Sequence, residues 1–132
     1  MRHALLAVIA LLLSGCLTAE LSPQFYRDRQ QQAPDHYGIE VLSVQIESLG
    51  PEQTAVDATV RVTTIYRCSS ARALGDVLHI RYIHDHPKRV VMGPRPIPLL
   101  EAGETCPAWL QPDPDRQGHE PAARGYSFQA IR

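Results

Sequence analysis

The sequence predicts an all-β domain, a small antiparallel barrel or sandwich, behind an exported and tethered N-terminus. Three observations predict it. Apolar residues make up 44% of the chain, an ordinary globular share, so a packed core is affordable. Eleven prolines and eight glycines favour strands and loops over long helices. Residues 56–67 alternate apolar and polar side chains with a period of two, as a strand with one wet face must.

The chain begins with Met1, Arg2 and His3, followed by ten unbroken apolar residues at 4–13. Ten helical residues rise about 15 Å, half of a hydrocarbon core of about 30 Å, which fits the apolar core of an export signal and not a membrane span. Leu13-Ser14-Gly15-Cys16 comes next. Small residues just before a cysteine resemble the lipobox of bacterial lipoproteins. That resemblance implies cleavage before Cys16 and acylation of Cys16, with residues 1–15 as signal peptide. It makes the membrane a partner through the lipid anchor and places the protein in the cell envelope. Leu17 follows, where an Asp would retain a Gram-negative lipoprotein in the inner membrane, so the expectation leans to the periplasmic side of the outer membrane.

Residues 16–37 are expected to be the lipidated cysteine and a flexible tether. A Gln run at 30–32, alternating charges at 27–29 and two prolines leave no period there. A partner-binding segment using Phe25 and Tyr26 is the alternative. The β-domain is expected over 38–132. Residues 38–49 form its first strand, with a bulge near Val41 and Leu42 because the apolar parity slips there. Gly50-Pro51 turns the chain. In the second strand Val56, Ala58, Val60, Val62 and Tyr66 point inward, and Ile65 falls on the wet face. Residues 69–74 have room for one turn. Gly75-Asp76 leads into a third strand at 77–83, with Leu78, Ile80 and Tyr82 inward and His79 and Arg81 outward. Prolines at 94, 96 and 98 mark an extended surface loop, since proline donates nothing to a ladder. A turn at 100–104 precedes a short strand at 105–110 containing Trp109. After a loop, Tyr126, Phe128 and Ala130 alternate in a last short strand.

The order of these elements, with Gly75-Asp76 before the third strand and Leu100-x-x-Gly103-Glu104 before a later one, resembles the OB-like barrel of netrin and metalloproteinase-inhibitor domains over residues 38–130. That resemblance implies an OB-like barrel here. It does not carry inhibition over. Those inhibitors use a free N-terminal cysteine as their zinc-binding wedge, whereas Cys16 would be acylated and separated from the barrel by its tether.

With Cys16 acylated, Cys68 and Cys106 remain as an even pair in an exported chain, and a disulfide between them is expected. His84-Asp85-His86 is the sharpest constellation. Residues i and i+2 of a strand face one side, so His84 and His86 form a candidate metal pair, with His119 or Glu120 as a possible third ligand. A solvated strand end is the plainer reading. Lys88, Arg89 and Arg95 form a modest basic cluster, read as loop solvation or as a contact for anionic groups. Thirteen basic against fourteen acidic residues supply no footprint for nucleic acid. No G-x-S-x-G elbow, phosphate loop or nucleophile–base spacing appears, and no cofactor motif. The expected function is therefore a non-enzymatic envelope lipoprotein whose barrel face or loops bind a protein or glycan partner; the alternative is a metal-binding module using His84 and His86.

Overall fold

The computed structural model describes residues 22–88, 95–115 and 117–131. Helix α1 (Pro23–Gln32) leads into β1 (Asp35–Ser48), β2 (Gln53–Arg67), β3 (Val77–Asp85), β4 (Thr105–Pro112) and β5 (His119–Pro121), and a 3₁₀ turn covers Arg124–Tyr126. The strands close into a barrel in the order β1-β2-β3-β5-β4. Every pairing is antiparallel except β3 with β5, which is parallel through Ile80 and His119. The result is a small all-β, OB-like barrel of mixed rather than purely antiparallel pairing.

Its interior follows the two-residue period. Val60 stands between Val41 on β1 and Leu78 on β3, and Ala58 lies opposite Ile80 and Val56 opposite Tyr82. All of these are buried, joined by Tyr37, Ile39, Val62, Ala108 and Leu110 from the strands and by Leu100 and Phe128 from the segments that close the barrel. The bulge in β1 falls where the parity slips: Val41 pairs with Val60 and Ser43 with Thr59, leaving Leu42 over. Beyond it β1 pairs with β2 alone, and Ile46 is 65% exposed.

Three expectations are corrected. The tether reading fails from residue 22 onward. Ser22 caps α1 by accepting the Phe25 amide hydrogen, Pro23 occupies the first turn, and Tyr26 and Gln30 are buried. Gln30 donates to the carbonyls of Tyr126 and Gln129, and these tertiary contacts supply what the weak helical period does not. The domain thus begins before residue 38, and β1 starts at Asp35. Second, Tyr66 points outward and Ile65 packs on the core. Gly38 pairs with Thr64 and Ile39 with Val62, so an extra residue at Thr63 reverses the parity of the strand end. Third, residues 126–130 form no strand. Trp109 takes an amide–carbonyl bond with Ser127 at 2.8 Å, and the chain coils through the 3₁₀ turn. The small additional strand is β5, from residues read as loop.

Residues 95–100 run extended along β3 without joining the sheet. Tyr82 Oη donates to the Pro98 carbonyl at 2.8 Å and accepts the Leu100 amide at 3.1 Å. Gly103 turns with φ of 89° and hands the chain to β4. Leu100, Gly103 and Glu104 therefore sit where the sequence placed their turn.

Candidate functional site

The outward residues of β1, β2 and β3 form registered rows. Gln45, Asp57 and Arg81 lie side by side, as do Glu47, Ala55 and Ile83, and Ser43, Thr59 and His79. The central row is tied together. Arg81 Nε donates to Asp57 Oδ2 at 3.2 Å, and Arg81 Nη1 donates to the Gln117 carbonyl at 2.7 Å. His79 Nδ1 lies 3.6 Å from Asp57 Oδ1. The Gln117 contact draws the β4–β5 loop against β3, and Gly118 makes it possible. Its φ is 132°, and a Cβ there would meet the His79 carbonyl at 3.1 Å.

Above this charged strip a groove of about 660 Å³ opens toward the β1–β2 hairpin. Gln45, Glu47, Asp57 and Arg81 supply polar atoms to it, and Ile46, Leu49 and Ile83 supply aliphatic ones. Those three aliphatic residues are 65%, 50% and 41% exposed, because the β1–β2 hairpin and the end of β3 paired to it project beyond the point where the barrel closes. Such a mixture of apolar surface and a few placed polar groups is what binding faces carry. In OB-like barrels the face of strands two and three, between the first and fourth loops, is the usual binding surface.

A second polar cluster lies inside the other end of the barrel. Asp35 is 1% exposed and its Oδ1 accepts from the Ser69 amide at 2.7 Å, Ser69 Oγ at 2.9 Å and Tyr37 Oη at 3.3 Å. His119 Nε2 stands 3.7 Å from Asp35 Oδ2. Burial lowers the His119 pKa; Asp35 opposes that shift and Arg72 adds to it. Burial, then the Asp35 charge, pushes the Tyr37 hydroxyl up to about 12. The cluster clamps the β2–β3 connection onto the barrel end.

Cys68 and Cys106 are both free, which corrects the expected disulfide. β1 lies between β4, which carries Cys106, and β2, which ends one residue before Cys68: Arg67 pairs with His36, whereas Cys106 pairs with Ile39. Two strand spacings of about 4.8 Å and three residues of offset exceed the roughly 7 Å that a disulfide spans between Cα atoms. Burial and neighbouring Glu104 push the Cys106 thiol up to about 12. His84 and His86 do come together, with ring centroids 5.7 Å apart. Each commits one nitrogen, His84 Nδ1 donating to the Ile97 carbonyl at 2.7 Å and His86 Nε2 bonding Thr54 Oγ1 at 3.0 Å. His119 faces Asp35 and Glu120 accepts from Gln111, so neither joins them as a third ligand. Among the described residues no group of three His, Cys, Asp or Glu side chains is placed to hold a metal. The expected signal peptide at 1–15, Cys16 after it, and Arg89 lie outside the described residues. Lys88 donates its amide to Glu52, and Arg95 lies over the Tyr126 ring.

The Asp57–Arg81 row was legible as a wet face but not as a site, since the groove above it depends on the hairpin's projection. Asp35 was missed, although Asp35, Tyr37, Ile39 and Val41 share one parity. Compared with protein-family models, with curated proteins and with solved structures, the chain matches none. Among the described residues no helix is long and apolar enough to cross a membrane.

Proposed function

We propose that this protein is a non-enzymatic lipoprotein of the bacterial envelope, anchored through acylated Cys16, whose β1–β2–β3 face binds a protein or glycan partner. The observation that carries the binding role is the groove over Asp57 and Arg81, open to solvent and rimmed by exposed Ile46, Leu49 and Ile83. Its volume lies within the range of ligand sites, and its aliphatic rim gains by being covered. The non-enzymatic reading is supported by how its charges are used: Asp57, Arg81 and His79 pair with one another, which leaves them as positioning groups. The anchor rests on the residue pattern at 1–16. The export signal, the lipobox and a compact barrel fit one arrangement, a binding domain held at a membrane surface.

A photoreactive side chain at position 83, in protein expressed in its native envelope, tests the binding face. One discrete adduct is expected, lost when Arg81→Glu reverses the central charge. Adducts at positions on the opposite wall of the barrel, with none at 83, would overturn the assignment of the face.

A further inference from the structure

The flank of α1 and the 3₁₀ turn carry a cationic and aromatic cluster that the binding face does not use. Phe25 has two guanidinium groups over its ring, Arg29 at 5.2 Å and Arg124 at 5.5 Å. Arg95 lies over Tyr126 at 4.9 Å, and Tyr126 packs on Tyr26 at 4.7 Å. Among the described residues, no carboxylate forms an ion pair with Arg29 or Arg95. A guanidinium held against a ring by cation–π attraction still offers N–H donors, in the fork that matches phosphate oxygens. Arg29 and Arg95 are exposed, and Phe25 is half-buried between its two arginines.

Position supplies the ligand. Only six residues of chain lead from Cys16 to Ser22, where the described structure begins. At no more than about 3.6 Å per residue they reach about 22 Å. An anchor at Cys16 therefore holds this flank of α1 within reach of the bilayer surface. The helix and the 3₁₀ turn pack on the β4–β5 side: Ala33 and Ala123 cluster with Trp109 of β4, and Ala122 bonds the Trp109 carbonyl. The barrel order puts that side across from β2.

The geometry points to Arg29 and Arg95, on either side of the Phe25–Tyr26–Tyr126 aromatic cluster, as a docking surface for the headgroup phosphates of an anionic bilayer, which turns the β2–β3 face away from the membrane. The inference rests on the lipid-anchored reading and adds an orientation to it. A tether alone leaves the barrel free to rotate; two exposed arginines on an anionic surface select one pose.

The test uses the full chain, expressed with its leader, purified from membranes and placed on phosphatidylcholine vesicles with or without about 30% phosphatidylglycerol. Hydrogen exchange is followed at residues 23–32 and 124–129. Slower exchange of both segments is expected only with phosphatidylglycerol. Each arginine removed should weaken docking about fivefold, so Arg29→Glu with Arg95→Glu should abolish the protection. Both side chains are exposed, and the unaltered protein at about 0.5 M salt, where charges are screened beyond about 4 Å, should give the same loss. Equal exchange on the two vesicles, with the protein attached to both, would overturn the docking surface and leave the anchor standing. Protection in the native envelope but on neither vesicle would assign the surface to a protein and overturn the lipid. Recovery of the protein from the soluble fraction would overturn the anchor, and the inference with it.

Discussion

Tyr82 carries two roles that its burial makes interdependent. Its ring fills the barrel opposite Val56, and its hydroxyl holds the 95–100 segment through Pro98 and Leu100. Burial pushes that hydroxyl up to about 12, so it stays a neutral donor. Tyr82→Phe keeps the packing and strands the two backbone groups; unfolding in urea should show a loss of about 1–2 kcal/mol. His119 makes stability depend on pH. Burial lowers its pKa in the fold below the ordinary 6.5, and burial with Arg67 does the same for His36. The unfolded chain therefore binds more protons near and below pH 6.5. That stabilisation is present above pH 6.5 and is lost as the pH falls through it, with a slope of at most about 1.4 kcal/mol per pH unit for one histidine. His119→Gln should flatten this slope in chemical unfolding measured from pH 7 to about 5. The thiols divide by environment. Cys68 is exposed and Cys106 is held protonated, so in protein whose Cys16 is acylated as proposed, brief alkylation of the folded state should add one label, and two only after unfolding.

At the scale of elements, β2 decides the barrel. Val60 is fully buried between Val41 and Leu78, and Thr59 faces outward beside His79. Val60→Ala should cost about 1–3 kcal/mol through lost transfer and the cavity left behind. Thr59→Ala should stay within about 0.5 kcal/mol in the same urea titration. Equal costs would mean a strand buried on both faces. β1, β2 and β3 were legible because each has one wet face, and the period of two records which. The Leu42 bulge was legible because apolar parity slips across it. The bulge at Thr63 was not, since Ile65 and Tyr66 are both hydrophobic and the pattern reads either way. α1 was hidden because most of its stability comes from Gln30 and Tyr26 meeting residues about a hundred positions away. β5 is three residues long, too short for any period to register. The same limit applies to the site. Pairing of Asp57 with Arg81 follows from strand register, while the groove depends on how far the hairpin extends past closure.

On the scale of the whole molecule, the barrel has two unlike sides. One presents the Asp57–Arg81 strip and its aliphatic groove, and the other carries α1 with its arginines over Phe25 and Tyr126. The expected anchor adjoins the second side, six residues before Ser22. On the proposed reading, the exposed aliphatic surface lies on the side left open to a partner. The lipid anchor is the premise on which this arrangement depends, and mass spectrometry of the protein recovered from bacterial membranes tests it directly. The account predicts a chain that begins at Cys16 and carries acyl groups on that residue, and a Cys16→Ser variant that leaves the membrane fraction. A mature chain with an unmodified Cys16, or a Cys16→Ser variant that fractionates with membranes as the unaltered protein does, would contradict it.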